Sequence, residues 1–356
     1  MATPHETADA PLTGIRPLLS DSSSRGIPPQ TRELREARER VYNLYSAAIG
    51  ACLSRSGTDP ALAERARVLL EEEAMLPHLT PGRLSRLGDE LPATIAELRA
   101  WPVRPPEGAT PADPGRTVRG AELTALFDLA LRDRLSGPER EHPRLLLFGG
   151  QPGSGKSTLQ RLVLPVLPEG TVSYDGDDLL RLAPDYEWAM GEDDLAASHS
   201  LAVQVGGLHR LAMEHVRAGR VDVVCSHPLG RADWAAQWVE GFREAGYRVE
   251  AAFVATHASN SRFAIADRRL RSCRDQGFGR WITEDQHDRF YLGVPNTIEF
   301  LETHRLVDSL YVLSREGEVL YANHVGDGGR WRTEPFGRVA LEAERGRREL
   351  WRQDDD

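Results

Sequence analysis

Cysteine is scarce: Cys52, Cys225 and Cys273 are the three in 356 residues. They are odd in number, far apart and without metal-ligand spacing, which excludes a disulfide framework and a cysteine-built metal site and fits a reducing cytoplasm. Long apolar runs are missing too. No stretch approaches the roughly 20 residues needed to span a bilayer. The opening MATPHETADAPLTG lacks the basic start and apolar core of a secretion signal. Positive charge is not in surplus, since 44 Lys and Arg face 54 Asp and Glu, a formal net charge of -10. Such a chain has no basic field for a nucleic-acid backbone, so neither nucleic acid nor membrane is expected as a partner. An anionic ligand would need individually placed Arg or Lys. No internal repeat is visible. Apolar residues make up 40% of the chain, enough for one large domain and a smaller one.

Residues 1–30 carry Pro, Ser, Thr and Asp without periodicity and read as disordered. Residues 31–138 read as a helical region. Leu34, Val41, Leu44, Tyr45 and Ile49 recur at helical spacing. A second helix is expected from Pro60 to Glu73, capped by Asp59. A third carries Leu84, Leu87, Leu91, Ile95 and Leu98. A Pro- and Gly-rich linker at 101–118 precedes a fourth helix from Arg119 to Leu135. The pattern changes at Arg144. Short apolar runs at 145–150, 171–175, 221–226, 248–256 and 308–314 alternate with amphipathic stretches, which predicts an α/β fold for residues 139–325: a mostly parallel sheet flanked by helices. A hairpin around Glu316-Gly317 closes it. Residues 326–356 read as a charged, exposed tail, helical from Gly337.

The first apolar run leads into Gly150-Gln151-Pro152-Gly153-Ser154-Gly155-Lys156-Ser157-Thr158, which fits GxxxxGK[ST] between a strand and a helix. Glycines let backbone N–H groups turn toward phosphates, and the helix N-terminus adds its positive end. Lys156 reaches the β- and γ-phosphates, and the Ser157 hydroxyl joins a magnesium shell. This implies nucleotide binding without separating a kinase from an ATPase, a GTPase or an inert binding module. The second run ends in Asp175-Gly176-Asp177-Asp178. Carboxylates at the C-terminal edge of a parallel strand face the ligand crevice, where one can take a proton from an acceptor hydroxyl. Alternatively, Asp177 and Asp178 cap the helix that starts near Leu179.

GGQPGSGKST, SYDGDDLLRLAPDY, an Arg-rich helix, GRWITEDQHDRFYLGVPNTIEFLE and SREGEVLY resemble, in order and spacing, the zeta toxin P-loop kinases over residues 144–322. Members of that family phosphorylate the 3′-hydroxyl of UDP-N-acetylglucosamine with ATP and Mg2+. The resemblance implies that Lys156 and Ser157 hold phosphates and metal, that Asp177 is the general base, and that Arg268 and Arg280 embrace the phosphates as charge develops on the transferred group. The alternative for Arg268 is a solvated helix face shared with Arg269, Arg271 and Arg274. His287 reads as a structural anchor.

The substrate side departs from the family. His209 stands where the family has a substrate-binding Glu, Cys225-Ser226-His227 replaces Glu-Gly-Thr, and Arg231 corresponds, one residue displaced, to a substrate-contacting Arg. His227 is expected to touch substrate and Cys225 to be a buried small hydrophobe. Glu214 and Glu192-Asp193-Asp194 are expected to be solvated or capping. The implied acceptor is a UDP-amino sugar or similar small hydroxyl compound. Kinases resembling chloramphenicol phosphotransferases, which inactivate antibiotics, are a rival reading, and a nucleotide-binding regulator without turnover is another. Zeta toxins are restrained by a three-helix antitoxin, so an antitoxin in trans is one expected partner. The helices before residue 135 are either an in-cis equivalent or a scaffold.

Overall fold

The structure, a computed structural model, describes residues 32–56, 59–103, 107–113 and 117–347. The stretch read as disordered and the end of the tail lie outside these residues. Helices α1 (Arg32–Leu53), α2 (Pro60–Ala74) and α3 (Pro81–Arg99) come first. α2 starts as the sequence predicts: Pro60 occupies the first turn and the Asp59 carboxylate accepts the Ala61 N–H at 2.9 Å. α3 buries the predicted stripe Leu84, Leu87, Leu91, Ile95 and Leu98. The predicted fourth helix is shorter than expected. α4 spans Gly120–Ala130, with Arg119 at its N-cap and a separate 3-10 turn at Asp133–Leu135. Leu131 leaves helical dihedrals at φ -126°, and both Leu131 and Leu135 turn inward. The linker does not end loose either, because Val118 is buried and its N–H donates to the Gln204 carbonyl at 3.1 Å.

The rest runs β1 (Arg144–Gly149), α5 (Lys156–Val163), β2 (Val172–Asp175), α6 (Tyr186–Glu192), α7 (Asp194–Gln204), α8 (Gly206–Gly219), β3 (Val223–His227), α9 (Ala232–Glu244), β4 (Arg248–Val254), α10 (Ala258–Gln276), α11 (Glu284–Thr303), β5 (Ser309–Leu313), β6 (Val319–His324) and α12 (Gly337–Arg345). The strand order is β2-β3-β1-β4-β5-β6. All neighbours are parallel except the β5–β6 hairpin, which turns at Gly317 (φ 88°). The chain therefore has the predicted α/β class: a mostly parallel sheet flanked by helices and preceded by an all-α region.

Side-chain alternation divides β1 between two faces. Leu146 and Phe148 pack with Leu159, Leu162 and Val163 of α5. Leu145 and Leu147 join a larger core that runs without interruption into Val41, Leu44 and Ile49 of α1. The N-terminal helices thus share the sheet's own interior. The tail helix α12 is not exposed as predicted. Its Leu341, Glu344 and Arg345 are buried, because this face packs on α11 and β5.

From β1 the chain moves to one side of the sheet, through β2 and β3, and then crosses to β4 on the other. At this switch the C-terminal ends of β1, β2 and β3 open a shared crevice.

Candidate active site

The loop after β1 turns on glycines. Gly153 (φ 77°) lies so close to α10 that a Cβ would stand 2.1 Å from the Ser261 carbonyl oxygen, and Gly155 (φ 101°) is the N-cap of α5. Both conformations suit glycine alone among common residues. The result is a bare backbone cradle at a helix N-terminus, the arrangement that receives phosphates. The Gln151 side chain is fully buried and held at both ends. Its amide nitrogen donates to the Thr256 carbonyl at 2.8 Å and to Ser261 Oγ at 3.3 Å, and its oxygen accepts from Arg345 of α12 at 2.7 Å. Lys156 is buried, with Nζ 3.4 Å from the Gln151 carbonyl. Burial lowers its pKa against the opposing pull of Asp177 and Asp175. Ser157 Oγ lies 3.2 Å from Ser226 Oγ and bonds Asp175. Pro152, Ser157 and Thr158 line the cleft over the loop.

At the end of β2, Asp175 caps the following 3-10 segment Gly176–Leu182, accepting the Asp177 N–H at 3.0 Å. The capping duty anticipated for Asp177 and Asp178 therefore falls on Asp175, and Asp177 is left free to face the cradle. Its carboxylate ion-pairs with Arg280, and Arg268 Nη1 lies 3.9 Å away. Burial pushes the Asp177 carboxyl up, but Arg280, Arg268 and Lys156 outweigh it and hold it well below the usual carboxylate range. Asp175, by contrast, is raised, by burial and by Asp177 and Asp178 beside it. Asp178 accepts the Tyr42 hydroxyl of α1.

The neighbours of Arg268 on α10 are engaged elsewhere: Arg269 with Asp194, Arg271 with Asp267 and Arg274 with Asp275. The Nε atoms of Arg268 and Arg280 are buried without a hydrogen-bond partner among the described residues, donors that phosphate oxygens would satisfy. Asp194 was anticipated as solvated or capping. Instead it accepts the Gly279 N–H at 2.8 Å and Arg269 at 2.6 Å, and so fixes the loop that presents Arg280. Asp193 makes the cap, on Leu195 and Ala196. His287 is buried and bridges Ser261 Oγ (2.7 Å) to Asp288 (2.8 Å), the anticipated anchor between α10 and α11.

On the acceptor side, a cavity of about 230 Å³ extends from Lys156 and Asp177 past His209 and His227 to Trp234. His209 Nδ1 meets the Tyr174 hydroxyl at 2.7 Å. Burial lowers His209 to about 4 and His227 well below its ordinary value, so both rings are neutral near pH 7. Gly176 separates the two aspartates because His227 sits against it: a Cβ there would be 3.1 Å from the ring. Cys225 is buried, as anticipated. Glu214 pairs with Arg210 in solvent. Arg231 does not reach the cavity. It precedes α9 and pairs in solvent with Asp233 at 2.5 Å.

The zeta toxin profile matches residues 128–325, more than half of the chain. The chain belongs to the zeta toxin family. No curated protein sequence matches it. Among solved structures it is similar to a chain of the PezAT chromosomal toxin–antitoxin system of Streptococcus pneumoniae, at 17% identity and a TM-score of 0.49, over 64% of this chain and 95% of that one. It is also similar to a chain of the AvrRxo1-ORF1:-ORF2 complex, at 16% identity and a TM-score of 0.42, over 63% of this chain and 70% of that one.

Helices α1 to α3 precede the zeta toxin match and still shape its site. The cleft over the phosphate loop, about 860 Å³, has Glu39, Tyr42 and Ser46 of α1 as one wall and Arg268 and Arg280 as another. Arg161 of α5 stacks on the Tyr42 ring at 4.2 Å. Arg181, just past Asp177, is fully buried and makes a two-pronged ion pair with Glu73 of α2, its second prong at 2.6 Å. Arg99 of α3 clamps Glu187 with two 2.9 Å bonds.

Proposed function

We propose that this zeta toxin family member is an ATP-dependent kinase of a small hydroxyl compound. The observation that carries the reading is the Asp177 carboxylate, set between Arg268 and Arg280 at the phosphate cradle. The cradle, Lys156 and α5's N-terminus would hold the phosphates of ATP. A magnesium ion would be held by Ser157, with Asp175 behind it, and would screen charge on the phosphates. Asp177 takes the acceptor's proton as that oxygen bonds to the terminal phosphorus and the bond to the β-phosphate oxygen breaks. Arg268 and Arg280, drawn to the phosphates, leave Asp177 a stronger base than when paired with it.

The acceptor implied by the family resemblance is a UDP-amino sugar. The neutral His209 and His227, and Arg231 turned to solvent, favour the rival reading in which another metabolite or an antibiotic is phosphorylated. A regulator without turnover is disfavoured by the joint placement of Lys156, Asp177 and both arginines. Helix α1, backed by α2 and α3, forms a wall of the site, and an antitoxin in trans would be the partner that closes the cleft it leaves open.

The test is ADP release with Mg-ATP and a panel of UDP-sugars, nucleosides and antibiotics. Acceptor-dependent release, lowered about 10²–10⁴-fold by Asp177→Asn and lost with Lys156→Ala, is the expected result. Release that ignores the acceptor would mean a plain ATPase.

A further inference from the structure

Arg280 reaches Asp177 from a loop rather than from a helix or strand, so side-chain contacts must set its place. α10 ends at Gly277, whose left-handed backbone (φ 92°) caps the helix, its N–H donating to the Cys273 carbonyl at 2.9 Å. The chain then doubles back along α10. Gly279 lies so close to Arg269 that a Cβ would stand 2.6 Å from the Arg269 carbonyl oxygen. Groups from three other helices hold this reversal. Arg99 of α3 donates to the Gln276 carbonyl at 2.8 Å, Tyr186 of α6 meets the Phe278 ring edge-on at 5.5 Å, and Asp194 of α7 accepts the Gly279 N–H at 2.8 Å. Asp194 acts on the residue next to Arg280. One of its oxygens takes the Gly279 N–H and, at 3.7 Å, the Cys273 thiol, and the other takes the Arg269 guanidinium at 2.6 Å. A single carboxylate thus ties the loop to the helix it folds back on. α7 does not need that carboxylate for itself, because Asp193 caps it. Asp194 lines neither the acceptor cavity nor the cleft over the phosphate loop, so it would act through Arg280 and not on a ligand.

Resting on the kinase reading above, we propose that Asp194 is a positioning residue for phosphoryl transfer: it holds Arg280 where charge develops on the transferred group. A donor at that point must be in place before the reaction, and a displacement of about 1 Å can cost on the order of 10²-fold in rate. Without the carboxylate, the Gly279 N–H loses its acceptor and the loop shifts until water or another group satisfies it. Arg280 moves with the loop.

The experiment is calorimetric titration of the full chain with Mg-ADP, alone and with aluminium fluoride, which imitates the phosphoryl group in flight and needs no identified acceptor. Fluoride should tighten Mg-ADP binding to the wild type by about tenfold or more. Asp194→Ala should abolish most of that gain while the Kd for Mg-ADP alone changes little. Combined with Arg280→Ala, it should add almost nothing to the loss that Arg280→Ala causes by itself, because the two changes remove one interaction. Asp194→Asn, which keeps an oxygen for the Gly279 N–H, should retain part of the gain, and it carries the same comparison if Asp194→Ala does not fold. A fluoride gain that survives Asp194→Ala and Asp194→Asn undiminished, or the same loss with and without Arg280, overturns the inference and leaves the kinase reading standing. So does a wild type that binds Mg-ADP without any gain from fluoride. Failure of the wild type to bind Mg-ADP at all sinks both.

Discussion

The ion pair between Asp177 and Arg280 has a consequence for acid. The Asp177 carboxyl is held below its ordinary value, so its stabilising contribution is full above about pH 4 and is lost as pH falls toward the depressed value. Arg280→Ala removes the main counter-charge and leaves burial to push the carboxyl up. The acid limb of kcat/KM against pH should then move toward neutral, beside the overall loss of rate. An unmoved limb would mean that another group titrates there. His209 works in the same pH direction by a different route. Its folded pKa, about 4, lies below the 6.5 of the unfolded chain, so the unfolded state gains the proton first as pH falls. Stability present above pH 6.5 is lost down to about 4, at up to about 1.4 kcal/mol per unit. His209→Phe should flatten that part of a Tm-against-pH curve. The glycine cradle, Lys156 and the Asp-Gly-Asp turn were legible in the sequence because neighbours along the chain determine them. The sequence marks Asp194 as solvated or capping because the Gly279 N–H it accepts lies 85 positions away, and nothing local signals that bond.

At the scale of elements, the strands were legible within a residue or two, since buried parallel strands are short apolar runs bounded by turns. The tail helix was legible from Gly337, but its burial was not, because its buried face rests on Leu341 and on a long-range bond. Arg345 donates to the Tyr291 carbonyl and to Gln151 Oε1, each at 2.7 Å, stacks on the Tyr291 ring at 4.1 Å, and lies 194 positions from Gln151. α12 therefore braces the phosphate loop from behind. Arg345→Ala should raise the KM for ATP several-fold while kcat changes little. Gln151→Glu, which keeps the acceptor for Arg345 but turns the donor toward Thr256 into an acceptor, should disturb the loop as well. An unchanged KM for ATP in both variants would reduce α12 to packing.

For the whole molecule, α1 also reaches α10, where Asn43 donates to Asp275, but a contact from each of the three N-terminal helices meets one short stretch. Tyr42 meets Asp178, Glu73 meets Arg181, and Arg99 meets Glu187. Glu73→Ala leaves Arg181 buried without its partner and should cost about 3–5 kcal/mol in denaturant unfolding. A double change of Glu73→Leu with Arg181→Met should recover much of that loss. Removing residues 1–135 would expose Leu180, Leu182 and Tyr186, which are buried here, and should give an inactive, poorly folded protein. A soluble deletion product with raised activity would instead mark the helices as an inhibitor. The middle of α1 and the C-terminal ends of α2 and α3 are each fastened to residues 178–187, the segment that directly follows Asp177. In the proposed reaction those helices would therefore be a lever arm: a binding partner that shifted them by a fraction of an ångström would move Asp177 with them, and phosphoryl transfer would be throttled from the far side of the molecule without anything entering the cleft.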